Sequence, residues 1–184
     1  LVLRQRKGGN RVCGFWLLIP FLLIRFLLLS SFNKEALGRA AYFAPVRGIE
    51  RIAYYVYQIS NGVIFLYLMF VRVQADFTWQ FYAGLLFYIL GLCLCAAAVA
   101  SFSAPDDNGM NKSGVYKVSR NPMYVAYLIC FTGMALLVRS LVLLAAVAVF
   151  QISTHWIILA EERWCLEKFG LHYQQYMKEV RRYI

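Results

Sequence analysis

Apolar residues occur along the chain in five long runs, and short polar segments separate these runs. The runs cover residues 12–32, 52–71, 79–102, 123–138 and 141–160. A helix needs roughly 20 mostly apolar residues to cross about 30 Å of hydrocarbon, and only the fourth run is short for a full crossing. The pattern predicts an all-α fold, a polytopic membrane helix bundle of about five transmembrane helices.

The segments that join the runs indicate how these helices follow one another. Only Arg139 and Ser140 separate the fourth and fifth runs, which predicts an antiparallel helical hairpin. Small residues in the third run, among them Gly91, predict close packing against a neighbouring helix. Charged and apolar residues alternate in residues 161–184, which predicts a C-terminal amphipathic helix at the membrane interface. Gly170 is expected to end one helix and to let another begin.

The first run contains a proline, Pro20, and a charge near its middle, Arg25. A charged side chain is costly in hydrocarbon. We therefore expect this segment to tilt, to lie partly in the interface, or to pair Arg25 with a carboxylate or a lipid phosphate. It is the span whose crossing the sequence defines least well.

The composition supports a membrane protein. Of the 184 residues, 61% are hydrophobic and 15% are charged, whereas soluble domains are roughly half apolar and about a quarter charged. Such a chain has too few polar side chains to cover a water-facing surface. The net charge of +10 resides in the segments between the apolar runs, where it indicates topology signals and contacts with anionic lipid headgroups and no nucleic-acid partner.

Cysteine usage and charge placement add two expectations. The five cysteines form no C-x-x-C pair, so neither a disulfide framework nor a metal site is predicted. Basic residues cluster in residues 33–51, 103–119 and the tail, which places these three segments on the cytosolic side. Five complete spans would put the basic N-terminus outside, so either the first run does not fully cross or the charge rule fails there.

The segment from Gly114 to Tyr124, where a polar connector enters the fourth run, contains the most informative residues. Asn121 is a favourable N-cap and Pro122 suits a first helical turn, so the fourth helix is predicted to begin there. The free backbone N–H groups of a helix start form an anion site. The neighbouring Arg120 adds a guanidinium fork that suits a carboxylate.

A glutamate pair, Glu161 and Glu162, follows the fifth run, and the hairpin returns it to the same membrane face. S-adenosylmethionine has a carboxylate, an ammonium, ribose hydroxyls, an adenine ring and a sulfonium, and it needs this mixture of groups. Arg120 is a candidate for the carboxylate, and either glutamate for the ammonium or the ribose. Tyr116 and Tyr124 are candidates for the rings or the sulfonium. Taken singly, each residue is also typical of a helix end with a structural role.

The order and spacing of these residues resemble the isoprenylcysteine carboxyl methyltransferase and phospholipid N-methyltransferase superfamily of membrane enzymes. The resemblance covers about the last eighty residues, 106–184. Its marks are a Gly-x-Tyr element, an Arg-His-Pro-x-Tyr element, a glutamate pair and a Phe-Gly-x-x-Tyr-x-x-Tyr tail, seen here as Gly114, Tyr116, Arg120, Asn121, Pro122, Tyr124, Glu161, Glu162, Phe169, Gly170, Tyr173 and Tyr176. Asn121 stands where the carboxyl methyltransferases usually have histidine, and the Asn-Pro-Met-Tyr form is more similar to the phospholipid branch.

The resemblance implies an S-adenosylmethionine-dependent methyltransferase that acts at the membrane on a lipid or lipidated acceptor. The expected cofactor-binding residues are Gly114, Tyr116, Arg120, Asn121, Pro122, Tyr124, Glu161 and Glu162. The acceptor stays open. An ethanolamine amine must lose a proton and needs a base, for which Glu161, Glu162 or His155 are candidates. A prenylcysteine carboxylate needs a cation such as Arg120 or Arg139, and a small thiol or hydroxyl is a further alternative.

His155 lies two helical turns before Glu162, on the same face of the fifth run. An ionisable residue in a membrane helix is a functional candidate. A neutral histidine bonded across helices explains this residue equally well. The predicted catalytic residues are Glu162, His155 and Arg120.

We expect one membrane domain over residues 1–184, with a possible acceptor side in residues 1–102. The cofactor loop, the helical hairpin and the tail occupy residues 103–184. Gln58 and Asn61, near the centre of the second run, either line an acceptor slot or form interhelical hydrogen bonds. Two other functions are considered, a non-catalytic membrane scaffold or transporter and an NADPH-dependent enzyme similar to the sterol reductases. The sequence predicts no oligomeric state.

Overall fold

The computed structural model describes residues 12–32 and 34–184. Within these residues the secondary structure is helical, and the only β pairing consists of two isolated bridges. The helices in chain order are α1 (Phe15–Leu22), a π-helical stretch (Leu23–Leu28), α2 (Leu29–Phe32), α3 (Lys34–Ala41), α4 (Ile49–Phe70), α5 (Trp79–Ser103), a 3₁₀ turn (Gly114–Lys117), α6 (Pro122–Leu137), α7 (Leu141–Phe169) and α8 (Leu171–Glu179). The predicted all-α class is confirmed.

Among the described residues, four helices are long and apolar enough to cross a membrane. One is the first membrane helix, Phe15–Phe32, in which α1, the π-helical stretch and α2 follow one another without a break. The others are α4, α5 and α7. The fourth predicted run forms α6, whose 16 residues make it shorter than the spans, as its sequence indicates. Four spans with a shorter apolar helix agree with the predicted polytopic bundle.

The fifth predicted run extends further than expected. α7 has 29 residues and ends at Phe169, so residues 161–169 continue a membrane-length helix and do not belong to a separate surface helix. Gly170 ends α7 with a φ of 55° and precedes α8, as predicted. The apolar run stops at Glu161, and the last turns of α7 contribute Glu161, Glu162 and Trp164 to the wall of a cavity.

Helices α5 and α6 pack with their backbones almost in contact. A Cβ atom on Gly91 would lie 2.5 Å from Cys130 Cα, and one on Gly133 would collide with the backbone nitrogen of Tyr88. Both positions therefore need glycine. Small residues at such contacts let helices approach closely within lipid. This contact confirms the predicted close packing at Gly91, and it fixes α6 against α5.

The α6–α7 connection is the predicted hairpin. Arg139 adopts a φ of 54°, which turns the chain sharply. Ser140 is the N-cap of α7, and its Oγ accepts a hydrogen bond from Leu143 N at 3.1 Å. The same Oγ lies 2.8 Å from the Tyr67 hydroxyl of α4. The hairpin returns the end of α7 to the start of α6.

The first membrane helix packs against α5 and α6. The Phe21 ring lies 5.1 Å from that of Phe131 and 5.3 Å from that of Tyr127, distances typical of favourable aromatic pairs. The Tyr88 hydroxyl donates a 2.8 Å hydrogen bond to Leu17 O. These contacts place the first helix beside Tyr127 and Phe131 of α6 and Tyr88 of α5.

The segment before α4 is fixed beside the end of α7. Arg163 Nη2 donates to Glu50 Oε2 at 2.8 Å and to Pro45 O at 2.7 Å. Deeper in the bundle, the Tyr57 ring of α4 stacks on the Phe150 ring of α7 at 4.8 Å. Together these contacts hold α4 along α7 and place residues 42–48 across one end of the bundle.

Candidate functional site

A cavity of about 600 Å³ lies where α6 begins and α7 ends, and we name it the main cavity. The first membrane helix, α3, the 103–121 connector, α6, α7 and α8 contribute side chains to its wall. Its volume is within the range of small-molecule sites. The predicted site residues in the wall are Tyr116, Arg120, Asn121, Tyr124, Glu161 and Glu162. Gly114, Pro122 and His155 are not part of the wall.

Asp106 holds the connector between α5 and α6 in one shape. Its Oδ1 accepts hydrogen bonds from Asn108 N at 3.1 Å and Met110 N at 2.8 Å, and Lys112 Nζ lies 2.8 Å from Oδ2. The Lys112 ammonium and these backbone donors lower the pKa of Asp106. The turn brings Met110 and Asn111 to the cavity wall.

Gly114 acts through the backbone and not through contact with the cavity. It begins the 3₁₀ turn with a φ of 57°, and a Cβ atom there would collide with Ser101 Oγ of α5. The turn carries Tyr116 into the wall, where its carbonyl accepts a 2.6 Å hydrogen bond from the Tyr176 hydroxyl of α8. Burial raises the pKa of the Tyr116 phenol, so this side chain stays neutral.

Arg120 is almost fully engaged with the protein. Its Nε and Nη2 donate to Glu162 Oε1 at 3.1 and 2.8 Å, and its Nη1 donates to Met177 O and Val180 O at 2.9 and 2.7 Å. Four of the five guanidinium N–H groups are thus used. The side chains of Arg120 and Glu162 are 7% and 5% exposed. Such contacts favour a positioning role over an open fork for a ligand.

Glu162 binds a second arginine from the tail. Arg182 Nε and Nη2 donate to Glu162 Oε2 at 3.0 and 2.8 Å, and this carboxylate raises the pKa of Arg182. Arg120, Glu162 and Arg182 form a network that joins the start of α6, the end of α7 and the C-terminal tail. We name it the arginine–glutamate network.

Asn121 and Pro122 begin α6 as predicted, but the capping chemistry differs. Asn121 occupies the N-cap position and Pro122 the first helical position. The Asn121 side chain makes no capping bond, and its Nδ2 instead donates to Arg182 O at 3.1 Å. Ser119 Oγ accepts from Asn121 N at 3.1 Å. Asn121 therefore helps to hold the tail against the start of α6, a task for which its amide is suited.

Glu161 is the carboxylate that faces the main cavity without an ion pair. The Tyr124 hydroxyl donates a 2.7 Å hydrogen bond to Glu161 Oε1, and both side chains line the cavity. Among the described side chains, no Arg, Lys or His nitrogen lies within 4.0 Å of Glu161. The two neighbouring glutamates thus have different environments, one in the arginine–glutamate network and one facing the cavity.

Three buried polar atoms in the cavity wall have no hydrogen-bond partner within the described part of the chain. They are Arg39 Nε, Asn111 Oδ1 and Tyr127 Oη. Buried polar groups are normally paired. A ligand with both donors and acceptors would satisfy these atoms, so the wall fits a polar cofactor that also has apolar parts.

His155 lies outside the main cavity. Its Nδ1 is 2.7 Å from the Tyr183 hydroxyl, and its ring packs on Tyr183 and Trp156. The structure therefore favours the interpretation of a histidine bonded between α7 and the C-terminal tail. A catalytic role for His155 would need contact with the main cavity, and its ring is not part of the cavity wall.

Sequence reasoning missed wall residues that lie outside the motif. Trp164 lines the cavity, with Lys168 Nζ 4.6 Å from its ring centroid and the Tyr42 ring 5.4 Å away. Trp164 follows Glu161 by three positions, so the two share a helix face, and this spacing could have identified it. Arg39 gave no comparable signal, because only the fold brings α3 over the cavity.

A smaller cavity of about 270 Å³, which we name the side cavity, adjoins the main cavity. The two share wall residues, including Arg25, Tyr57 and Tyr127. Gln58 and Asn61 line the side cavity. Gln58 Nε2 donates to Tyr54 Oη within α4 and not across helices. Of the two predicted alternatives for Gln58, a place in a slot and an interhelical hydrogen bond, the geometry supports the slot.

Comparison with known proteins identifies the chain's family. Residues 79–172 match the model of the phospholipid methyltransferase family, and this range is just over half of the 184 residues. It runs from the start of α5 into α8 and includes the whole motif segment and the glutamate pair. No curated protein and no solved structure matches the chain. The chain belongs to the phospholipid methyltransferase family and is thus a membrane methyltransferase.

Proposed function

We propose that this protein transfers a methyl group from S-adenosylmethionine to the amine headgroup of a membrane lipid. The observation that supports the proposal most directly is the convergence of motif residues on the main cavity. Arg120 and Glu162 are 42 positions apart in sequence and in contact, and next to them Glu161 faces the cavity without an ion pair. Membership of the phospholipid methyltransferase family supports methyl transfer as the class of reaction.

The wall residues fit S-adenosylmethionine. The Arg39 guanidinium would hold its carboxylate and the Asn111 amide oxygen its ammonium, because both side chains have unpaired buried atoms. Tyr116 and Trp164 offer aromatic faces for the adenine ring or the positive sulfur. In this proposal Arg39 takes the carboxylate-binding role predicted for Arg120. When bound, the cofactor would supply a methyl carbon on a positively charged sulfur. The acceptor's lone pair would form the new bond to that carbon, and the electrons of the C–S bond would remain on the sulfur.

Glu161 would act as the general base. A protonated amine has no lone pair for attack, so the amine must give up a proton before or during transfer. The Glu161 carboxylate faces the cavity and would accept that proton, while the Tyr124 hydroxyl holds it in place through the 2.7 Å hydrogen bond. Glu162 is bound to two guanidinium groups, so we assign it a positioning role and give the catalytic role to Glu161.

The two cations predicted for a prenylcysteine carboxylate acceptor are engaged elsewhere. The carboxylate alternative relied on Arg120 or Arg139 as the cation. Arg120 is engaged in the arginine–glutamate network. Arg139 lies in the hairpin turn at the other end of α6, where it pairs with Asp76 at 2.5 Å and contacts Thr78. Neither guanidinium is free to hold an acceptor in the main cavity.

The two cavities suggest separate routes for the two substrates. The side cavity lies among the first membrane helix, α4 and α6, where a lipid acceptor would enter from the bilayer. The main cavity lies under the tail and the 103–119 connector, which contains Lys112 and Lys117. We assign both segments to the cytosolic side by the positive-inside rule, which counts lysine and arginine and not net charge. A water-soluble donor would reach it from there.

Lipid methylation by the purified full-length chain tests the proposal, with Glu161→Gln as the diagnostic variant. We expect the unmodified protein to bind S-adenosylmethionine in calorimetry and to methylate a phosphatidylethanolamine. Loss of a general base lowers rates by roughly 10²- to 10⁴-fold, so E161Q should lose methylation while it keeps cofactor affinity. Glu167→Gln is the matched control. Glu167 is exposed on the same helix, and its ion pair with Arg47 is a long contact of 3.7 Å between Oε1 and Nη2. Absence of cofactor binding by the folded protein would refute the proposal.

A further inference from the structure

Arg25 occupies the junction of the main and side cavities. It lines both, and it comes from the first membrane helix, which lies outside the residues that match the family model. Its Nη2 donates to Ala40 O at 3.0 Å, and its Nη1 lies 3.3 Å from Met123 Sδ. The guanidinium carbon is 5.6 Å from the centroid of the Tyr127 ring.

None of these partners has a negative charge. Among the described side chains, no carboxylate lies within 4.0 Å of Arg25. An ionisable residue within a membrane span is costly, and it normally pairs with an opposite charge or lines a substrate path. The predicted carboxylate partner is thus not found in the described residues, which leaves a lipid phosphate as the partner that the sequence also suggested.

The Arg25 side chain points inward, toward the two cavities. Arg25 lies in the π-helical stretch Leu23–Leu28, and such local widening of a helix is common at functional sites. Its neighbours Phe26 and Leu27 are 52% and 61% exposed on the outer surface. The guanidinium instead lies among Ala40, Met123 and Tyr127 at the edge of both cavities. The Arg25 side chain is therefore part of the cavity walls and does not face the outer surface with Phe26 and Leu27.

A phosphate would give Arg25 stronger hydrogen bonds than its present partners do. A thioether sulfur is a weak acceptor, and Nε makes no hydrogen bond within the described residues. An arginine fork matches the geometry of phosphate oxygens and binds them by two parallel charge-assisted hydrogen bonds. Arg25 therefore offers an anion site at the boundary between the lipid route and the reaction site.

We propose that Arg25 is a specificity residue that binds the phosphodiester of the amine lipid acceptor, supplied by a helix outside the residues that match the family. This inference rests on the proposed methyl transfer. Glu161 faces the main cavity and Arg25 stands at its border with the side cavity. A headgroup with a phosphate followed by an amine thus meets a cation first and a carboxylate next. An amine lipid without phosphate gains nothing from Arg25.

Equilibrium binding of three amines to the full-length protein in detergent tests the inference. The probes are a short-chain phosphatidylethanolamine, oleylamine and water-soluble O-phosphoethanolamine. For Arg25→Gln we expect the dissociation constant of the phospholipid to rise on the order of 10- to 100-fold, as for loss of charge-assisted hydrogen bonds, while oleylamine binding changes less than about twofold. Arg25→Lys, which keeps the charge without the fork, should recover part of the phospholipid affinity.

The control variant is Arg51→Gln, which removes an exposed positive charge of α4 near the same end of the bundle. It should leave the binding of all three probes unchanged. Equal losses for phospholipid and oleylamine in R25Q, or a lower melting temperature, would show a structural role and overturn the inference. O-phosphoethanolamine binding as tight as that of the phospholipid would overturn the lipid as the source of the phosphate. These binding results are independent of catalysis, so a protein that binds phospholipid through Arg25 but neither binds S-adenosylmethionine nor methylates lipid would refute the proposed function alone.

Discussion

Glu162 is the residue on which the geometry of the site depends most. Its carboxylate binds the Arg120 guanidinium in an almost fully buried pair and also binds Arg182, which is 32% exposed. Removal of one partner from a buried ion pair leaves an uncompensated charge and costs about 3–5 kcal/mol, whereas exposed pairs contribute about 0–1 kcal/mol. The pair with Arg120 should therefore dominate the contribution of Glu162 to stability.

We predict that Glu162→Gln lowers the stability of the protein by about 3 kcal/mol, measured as thermal unfolding in detergent by intrinsic fluorescence. The control is Glu167→Gln, whose pair with Arg47 is exposed and 3.7 Å long, so its effect should stay within about 0.5 kcal/mol. The Arg120→Ala variant should resemble E162Q. Equal midpoints for E162Q and E167Q would contradict the assignment of a positioning role to Glu162.

The sequence identified Glu161 and Glu162 as a pair but could not distinguish their environments. The distinction depends on Arg182, which lies 20 positions away in the tail and turns back to bind one glutamate and not the other. Similarly, Arg120 has the chemistry of a carboxylate ligand. Its engagement with the carbonyls of Met177 and Val180 follows from the packing of α8, which no local pattern predicts.

At the scale of elements, apolar run length predicted the helices well and their ends less well. The bilayer sets a length of about 20 residues for a span, and α4, α5 and α7 all begin within a few residues of the predicted positions. The predicted end of the fifth run at residue 160 is nine residues before the end of α7 at Phe169. The helix continues past the two glutamates because Glu162 is paired with arginines and Glu161 lines the main cavity. Arg25 also lies in a π-helical stretch, which hydropathy does not reveal.

The junction between the connector and α5 gives a prediction at this scale. Gly114 combines a φ of 57° with a Cβ position that collides with Ser101 Oγ, whereas Gly170 has a φ of 55° and open space around its Cβ position. Gly170→Ala therefore suffers only the backbone strain, about 1–3 kcal/mol. We predict that Gly114→Ala has a larger cost and also weakens S-adenosylmethionine binding, because it displaces the 3₁₀ turn that holds Tyr116. Thermal unfolding and calorimetry measure both effects, and equal stability losses in the two variants would contradict the collision.

At the scale of the whole molecule, two segments of the chain build the site together. The family match covers residues 79–172, which provide the connector, the hairpin and the glutamate pair. The first membrane helix and α4 lie before that range, yet they provide Arg25, Tyr57, Gln58 and Asn61 to the cavities. The proposed general base Glu161 thus lies in the part shared by the family, while the earlier helices would select the acceptor and, through Arg39 of α3, help to hold the cofactor.

This division predicts that a block in the side cavity separates acceptor use from cofactor binding. Asn61 lines the side cavity, whereas the next residue, Gly62, has open space around its Cβ position. Asn61→Trp fills the slot and competes with the acceptor for its volume. We expect it to lower the methylation rate of a long-chain phosphatidylethanolamine on the order of tenfold, which corresponds to about 1.4 kcal/mol. S-adenosylmethionine affinity should not change, because the main cavity is untouched. Gly62→Trp places the same ring on the same helix outside the slot and should methylate like the unmodified protein. If N61W and G62W methylate equally well, lipid does not enter through the side cavity.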